Sequence, residues 1–491
     1  MNSESQLKKN SLGIWSLIFF VVAAASPLTG VVGGLPVAIS AGNGAGIPAI
    51  YVMAGLILIV FSFGYVEMSR HVTNAGAFYS YISLGLGRNT GVAALMVALL
   101  AYFAIQLGVV ALFGFFCEMY VHDHLNLQIS WWVFSVGMLL VVWGLGIESV
   151  EVGGKVLGVL MLMEVGVMLL TDFAVLFHLH ASAVPLNLRS FTPDVVTQGH
   201  LGIALIFTIA AFIGFESTAI YGEECKQPEK TIPRATLLAV VLITLFFTFT
   251  SWVLVQAYGV EQIVAAATTN PGRFIFYIAD SVLGRWAVEM MSLLLITSLF
   301  AATQAFHNNI SRYLFSISRD GYLLKKMSAI RAGKGTPYFA SCVQSVIIIT
   351  ALLLMVSAGL DPMVDIFAWG SAMATMAILL LQAGVSVAVM AYFYRASLTV
   401  THYWRHFIAP LLATISMLAA LVMVIKNLDL LSGSSSGTIF VIPCLVFGIA
   451  VFGYVMACWV HNREAVTGSE QRAAEIREAL EYPAENEQKK V

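Results

Sequence analysis

The stretch Ser26-Pro27-Leu28-Thr29-Gly30-Val31-Val32-Gly33-Gly34 lies in the middle of the first long apolar run of the sequence. Its proline removes a backbone donor and its glycines weaken a helix, so the run is predicted to be a helix that breaks near its centre. A helix broken in an apolar environment exposes backbone NH and CO groups, which are tolerated only where protein or a water-filled cavity satisfies them. The stretch therefore indicates a binding site, with a proline kink that serves packing as the alternative.

A second candidate break, Phe212-Ile213-Gly214-Phe215-Glu216-Ser217, lies in a later apolar run. It places a glycine beside an acid, but it contains no proline. Judged by its own residues, it is the weaker of the two breaks.

The composition of the 491-residue chain is that of a membrane protein, because 59% of the residues are hydrophobic and 11% are charged. A membrane-spanning helix needs about 20 apolar residues, and apolar runs of that order recur along the chain. The sequence predicts an all-α polytopic membrane protein with twelve spans. Their predicted bounds, in order, are 14–41, 47–70, 89–121, 131–148, 152–177, 201–222, 236–258, 281–306, 338–358, 362–393, 408–426 and 438–461.

The basic residues predict the orientation, because Lys and Arg stay on the cytoplasmic side of a membrane. With both termini in the cytoplasm, all of the 25 Lys and Arg residues lie on cytoplasmic segments except Arg189, Arg273, Arg285 and Lys426. We expect a bacterial-type cytoplasmic (inner) membrane. The first run is too long for the core of a cleaved signal and is expected to be retained. Residues 75–87 are expected to form an interfacial helix.

Several classes of protein are disfavoured. The net charge of -2 argues against a nucleic-acid partner, and no GxxxxGK[ST] sequence for nucleotide binding is present. The cysteines show neither paired spacing nor a metal pattern, and His307 stands apart from any second metal ligand. We expect no enzyme activity, no catalytic residue, no cofactor and no metal.

Three acids lie within apolar runs, namely Glu164, Asp172 and Glu216. An intramembrane carboxylate costs about 2.5–3.5 kcal/mol on insertion scales and usually has a function. None has an obvious intramembrane Lys or Arg partner, which suits proton coupling or amine recognition. A functional role is favoured for Glu164, whereas a structural role is favoured for Asp172, which lies nearer the external end.

Several separate motifs resemble the amino acid, polyamine and organocation permease superfamily over nearly the whole chain. The most specific is Gly214-Phe215-Glu216, followed by the stretches at 221–228 and 232–235. Others lie at 65–68 with 74–81, and at Ser311-Arg312 with 318–321. The resemblance implies a LeuT-like fold in which spans one to five and six to ten form two inverted repeats, with two further helices. It also implies that a substrate binds between discontinuous spans one and six.

The chain departs from the family at two places. Members that bind alpha-amino acids often carry a glycine-rich turn in span one, where this chain has Leu28-Thr29-Gly30, closer to the form of polyamine-type members. Some proton-coupled members place a lysine in span five, where this chain has Leu160, with Glu164 one turn further on. The usual lysine mechanism is therefore not expected.

These observations predict a secondary active transporter of an amino acid or amine, importing it with protons. The alternatives are a substrate/product antiporter and a non-transporting membrane receptor. Residues 1–13 form a cytoplasmic lead, 14–461 the transporter domain and 462–491 a charged cytoplasmic tail, helical from about Ser469 to Pro483. Membrane lipid is an expected partner and a homodimer is left open. Glu164 and Glu216 are the candidates for proton coupling. The predicted substrate-binding residues are Ser26, Pro27, Thr29, Gly30, Val31, Gly33, Tyr102, Gln106, Phe212, Gly214, Phe215, Glu216, His307 and Trp369.

Overall fold

The computed structural model of the protein describes residues 12–71, 78–147, 150–331, 334–396, 402–431 and 440–481. Within these ranges the chain is helical without strands, and one isolated bridge joins Leu12 to Cys225. The all-α prediction is confirmed. Residues 1–11 of the predicted lead, 75–77 of the predicted interfacial helix and 482–491 of the predicted tail lie outside the described residues, as do 74–77 of one family motif.

Each of the twelve predicted spans contains helix. Spans one to six comprise, in order, Ile14–Ala25 with Pro27–Thr29, Gly30–Gly34, Leu35–Val37 and Ala38–Asn43; Ile47–Ser69; Arg88–Leu125; Trp131–Gly146; Val150–Ala181; and Leu201–Ala210 with Ser217–Ile220. Spans seven to twelve comprise Pro228–Tyr258; Arg285–Arg319; Tyr338–Ser357; Pro362–Phe367 with Ala368–Arg395; Trp404–Ile408 with Ala409–Leu431; and Val441–Glu481. Among the described residues, nine helices are long and apolar enough to cross a membrane, and shorter apolar helices accompany them.

Within the predicted stretch, span one breaks at Ser26, whose backbone is left-handed with φ 46° and ψ 74°. The helix resumes at Pro27, since proline is well tolerated at the first position of a helix, where its missing N–H would have no partner. Gly30–Gly34 does not unwind but forms a π-helical segment. The break therefore lies in the predicted stretch, but it is one residue long and the glycines do not cause it.

Span six breaks over residues 211–216, which form turns between its two helical pieces. Gly214 takes φ 110°, a conformation open to glycine and strained for other residues. A Cβ at Gly214 would lie 2.5 Å from the Cβ of Ala24 in span one, so the two breaks touch. The break ranked weaker from its sequence is the longer one, because one glycine with positive φ redirects the chain without a proline.

Among the nine long apolar helices of the described residues, those of spans three and ten are the most buried and those of spans nine and twelve are the least buried. Large side chains on the outer spans, such as Leu354, Val451 and Phe452, are exposed, as expected where lipid is the solvent. Span one contacts spans five, seven and eight. Its break is thus enclosed by other helices, which can satisfy the freed backbone groups.

Contacts near the ends of the spans show which of these ends lie on the same side of the protein. The Leu12 and Lys226 backbones pair before span one and after span six. Arg88, at the start of span three, lies over the Tyr322 ring that follows span eight. The ion pair between Asp123 and Arg273 joins segments at the opposite face. An even number of crossings separates each pair, in agreement with the predicted alternation.

Several helices are longer than predicted. Span eight continues to Arg319 rather than ending near 306, because polar residues such as His307 and Arg312 are buried against protein partners rather than marking a membrane boundary. Residues Phe78–Leu86, within the stretch predicted as an interfacial helix, form a helix. Span twelve continues as one helix from Val441 to Glu481, into the predicted tail.

Candidate substrate and coupling site

Glu164 of span five lies at the break of span one and is 2% exposed. Ser298 of span eight donates to Glu164 Oε2 over 2.5 Å, and the Leu28 amide also hydrogen bonds to this carboxyl. The Ser298 hydroxyl lies 2.6 Å from that of Ser26, which lies 2.6 Å from the Thr29 hydroxyl. One carboxyl therefore connects three spans through an unbroken chain of hydroxyl groups.

Glu216 caps the break of span six. Its Oε2 accepts from the Gly214 amide over 3.1 Å, its Oε1 accepts from the Tyr102 hydroxyl of span three, and its backbone carbonyl accepts from the Tyr65 hydroxyl of span two over 3.0 Å. Glu216 is fully buried. Neutral donors satisfy the hydrogen-bonding capacity of the Glu216 carboxyl and carbonyl. Glu216 is therefore well placed to stabilise the non-helical backbone of the break.

Neither carboxyl pairs with a lysine or arginine in the part of the chain that the structure describes. An ion partner would hold such a group ionised, whereas neutral donors leave a carboxyl free to exchange a proton. The two groups differ in where their partners lie. The partners of Glu164 lie on two other spans, whereas Glu216 bonds to its own break as well as to Tyr102.

A second polar layer lies beside Tyr102. Gln106, one turn along span three, donates to the Thr303 carbonyl of span eight over 3.4 Å and accepts from Gln344 of span nine. Asn309 of span eight donates to Ser217 Oγ over 2.6 Å, and Ser217 begins the second helical piece of span six. The bonds of Gln106 join spans three, eight and nine, and the bond of Asn309 joins span eight to span six just after its break.

The glycines of span one allow neighbouring side chains to approach. A Cβ at Gly30 would lie 2.5 Å from the Phe247 ring of span seven, and one at Gly33 would lie 2.8 Å from Leu112 of span three. The Gly30 amide already bonds to the Ser26 carbonyl over 3.0 Å, so it is not free to bind a substrate. Gly30 and Gly33 therefore act through close packing in this structure.

Most of the other predicted residues gather around the two breaks. Pro27 and Val31 are buried next to the Ser26 break. Phe212 is buried within the break of span six, and Phe215 stacks edge-on against Phe61 of span two, with ring centroids 6.0 Å apart.

His307 and Trp369 do not join this group. His307 Nε2 bonds to Ser341 of span nine over 2.7 Å and lies against Gly146 of span four. Trp369 lines an apolar cavity of about 390 Å³ among spans three, nine, ten, eleven and twelve. Asp172 accepts from Thr250 of span seven over 2.7 Å, which fits the structural role favoured for it.

Sequence reasoning missed Ser298, Gln344 and Tyr65, each of which bonds to a predicted residue. Serine, glutamine and tyrosine recur throughout the apolar runs, and helical position alone does not show which of them face a given acid. The signal that could have found Ser298 is the acid itself, since a buried carboxyl requires a donor from a neighbouring span.

On the face that contains Leu12 and the segment after span six, Arg312 of span eight forms a buried ion pair with Glu224 at 2.7 Å. The Arg312 guanidinium also lies 4.5 Å from the centroid of the Tyr221 ring. These residues belong to two of the family motifs, which the fold brings together. Leu12, just before span one, forms backbone hydrogen bonds with Glu224 and Lys226 of the same segment.

Comparisons with known proteins agree with the family resemblance that the motifs indicate. The amino acid permease family matches residues 16–466. The Asc-type amino acid transporter 1 of Mus musculus is 24% identical over 305 residues, covering 59% of this chain and 54% of that protein. The aspartate-proton symporter of Bacillus subtilis is 21% identical over 295 residues, covering 58% and 56%. The chain spans about half the length of these curated relatives.

The crystal structure of MhsT in complex with L-phenylalanine superposes with a TM-score of 0.60 at 14% identity, covering 85% of this chain and 99% of that one. This likeness confirms the LeuT-like fold that the resemblance implied. The family match confirms the resemblance itself, and the apolar helices make the protein an integral membrane protein. The chain therefore belongs to the amino acid permease family.

Proposed function

We propose that the protein imports an amino acid or amine together with protons, and that Glu164 carries the coupling proton. One observation carries the proposal: the buried Glu164 carboxyl, without a basic partner among the described residues, connects spans five and eight to the break of span one. Its charge can therefore alter the geometry of the break. The amino acid permease family and the proton-coupled relative support the substrate class and the coupling.

The substrate is proposed to bind where the breaks of spans one and six meet, beside the contact between Gly214 and Ala24. Ser26, Thr29 and the residues around Glu216 and Tyr102 form its surroundings. Glu216 has a supporting role in this proposal, because its donors include the amide of its own break. His307 and Trp369 are omitted from the proposed site, since their contacts lie on other spans.

When Glu164 is ionised, it accepts hydrogen bonds from Ser298 and from the Leu28 amide, which fastens the outer half of span one to spans five and eight. When it is protonated, one of its oxygens becomes a donor and its remaining acceptor capacity is smaller, so the hydrogen bonds that it makes with Ser298 and the Leu28 amide change. Proton binding and release at one residue thus changes how the break is held. Coupling follows if the substrate binds to only one of the two arrangements.

The protein is proposed to lie in a bacterial-type inner membrane with both termini in the cytoplasm. The pairing of Leu12 with the basic segment after span six supports this orientation, because that segment contains Lys226, Lys230 and Arg234.

The test is uptake of radiolabelled amino acids and amines into proteoliposomes. We expect accumulation when the outside is made acidic, and none when the gradient is collapsed by a protonophore. Uptake that ignores the gradient but requires substrate inside the vesicles would replace proton coupling with exchange. Binding of a substrate without any translocation would assign the protein a receptor function.

A further inference from the structure

We propose that residues 182–188, at the start of the loop between spans five and six, form an interfacial anchor in the headgroup boundary of the outer leaflet. We call this stretch the anchor segment. Its inserted side chains are Val184, Leu186 and Leu188. The choice of leaflet follows from the proposed orientation, whereas the insertion itself does not depend on the coupling role of Glu164.

The anchor segment is apolar although it connects two spans. It contains no Asp, Glu, Lys or Arg, and residues 184–188 form neither helix nor turn. Val184, Leu186 and Leu188 are 45%, 49% and 67% exposed. Apolar side chains that are exposed together mark a surface that binds a membrane or another protein.

The end of span five directs the chain into the anchor segment. The Val184 amide donates to the Leu179 carbonyl over 3.0 Å, and the Ala183 amide donates to the His180 carbonyl over 3.1 Å. These two bonds form a Schellman motif, which ends a helix with one left-handed residue. Ala183 is that residue, with φ 56°, a conformation that is strained for alanine. The helix therefore stops at a defined turn instead of continuing outward.

Hydrogen bonds place the anchor segment beside span seven. The Asn187 amide donates to Gln256 Oε1 over 2.9 Å, and the Asn187 carbonyl accepts from the Trp252 indole over 3.0 Å. The helix of span seven ends at Tyr258. Trp252 lies six residues earlier, which is about 9 Å along the helix axis. The anchor segment is thus level with the last two turns of span seven rather than beyond its end.

Span five presents exposed apolar side chains at the same level. The spans lie side by side, since Asp172 accepts from Thr250 over 2.7 Å and the Phe173 and Phe249 rings are 5.7 Å apart. Both helices run toward the same face of the membrane. Phe173 and Phe177, on the outer turns of span five, are 59% and 75% exposed. The anchor segment therefore continues the lipid-facing surface of a span.

The backbone bonds of Asn187 also favour lipid over water as the surroundings. Non-helical backbone at membrane depth needs hydrogen-bond partners within the protein. Both backbone groups of Asn187 have such partners, each on a side chain of span seven. Water would satisfy these groups if the segment were solvated. Tryptophan is also enriched at the boundary between membrane and water, where its ring is in lipid and its N–H finds a polar partner.

An ion pair marks the water side of the anchor segment. Arg189, the next residue along the chain, lies 3.4 Å from Glu261, and the two side chains are 54% and 80% exposed. Glu261 follows the end of span seven at Tyr258. The charges therefore lie beyond the span, next to apolar side chains that lie level with it. This is the division that an amphipathic interfacial segment requires.

The test measures the depth of nitroxide labels on the full-length protein in lipid nanodiscs. The labels are attached at Leu186→Cys and Leu188→Cys, after the five native cysteines are replaced by serine or alanine. Collisions with oxygen, which concentrates among acyl chains, are compared with collisions with a water-soluble nickel chelate. We expect oxygen collisions to dominate at both positions, at a depth of about 5–10 Å in the headgroup boundary. Glu261→Cys is the control and should collide mainly with the nickel chelate.

Hydrogen exchange provides a second measurement that keeps the native cysteines. In nanodiscs, the double variant Leu186→Glu with Leu188→Glu should lift the anchor segment into water. We expect exchange of its amides to become faster by about tenfold or more, because charged side chains are costly at membrane depth. Gln198→Glu is the matched control, since it adds a charge at an exposed position of the same loop, and it should leave this exchange unchanged.

Three results would overturn the anchor. Labels that collide mainly with the nickel chelate would place the segment in water. Labels shielded from both reagents would show that protein covers it, as a second copy of the chain or another partner would. Wild-type exchange in the double variant would show that the leucines do not hold the segment in lipid. None of these results bears on proton coupling, which the uptake experiment tests separately.

Discussion

Replacing Gly30 with alanine tests the packing that shapes the break of span one. The new Cβ would lie 2.5 Å and 2.6 Å from two atoms of the Phe247 ring. The ring has little freedom to move, since Phe247 is 1% exposed and stacks on Tyr51 with centroids 4.9 Å apart. Overpacking of this kind costs about 1–3 kcal/mol.

Helix propensity acts in the opposite direction, because alanine is favoured over glycine within a helix by about 0.8–1.0 kcal/mol. We therefore expect Gly30→Ala to lower the free energy of unfolding by a net amount of up to about 2 kcal/mol. Gly137→Ala in span four is the matched control, because nothing lies within 4 Å of its new Cβ. That control should be neutral or slightly stabilising.

The assay is equilibrium unfolding in mixed micelles of increasing SDS content, performed on both variants and on Gly30→Ala combined with Phe247→Leu. The smaller side chain should recover part of the loss, giving a coupling energy of about 0.5–3 kcal/mol between the two positions. If Gly30→Ala behaved like Gly137→Ala, or if the two changes were simply additive, the Phe247 ring would not restrict position 30 as the structure indicates.

Two further predictions concern the buried ion pair and the break of span six. Arg312→Met should cost about 3–5 kcal/mol, because it breaks a buried ion pair with Glu224. Arg273→Met, whose ion pair is exposed, should cost at most about 1 kcal/mol in the same SDS titration. Equal losses would contradict this difference in burial. Gly214→Ala should destabilise the protein by about 1–2 kcal/mol from its left-handed backbone alone, and further through the contact with Ala24, so a wild-type midpoint would show that the break has a different backbone.

Much of the architecture could be predicted because lipid imposes a simple rule on the sequence. Long apolar runs predicted the spans. The distribution of Lys and Arg predicted that successive loops alternate between the two sides of the membrane, and the loop contacts agree with this alternation. Bounds were missed where polar residues lie inside the protein, as at His307 in span eight. Sequence alone does not show whether a polar residue marks the membrane boundary or faces a partner on another span.

The site was predicted unevenly for a related reason. A proline in an apolar helix is a local signal, so the break at Ser26 could be predicted, and the cost of a buried acid made Glu164 a candidate. The partners of Glu164 come from span eight and from the Leu28 amide, and such pairing depends on how helices pack rather than on local spacing. Trp369, predicted to bind the substrate, lines a cavity apart from the two breaks, and an aromatic side chain carries no sign of which face of its helix it lies on.

The most direct test of the central claim compares two activities of Glu164→Gln in the same proteoliposomes. Gradient-driven accumulation requires a proton to bind and leave, whereas counterflow of labelled against unlabelled substrate requires only that the site alternates between the two sides. We predict that the variant loses accumulation driven by an acidic exterior and keeps counterflow near the wild-type rate. Full gradient-driven accumulation by Glu164→Gln would contradict the account.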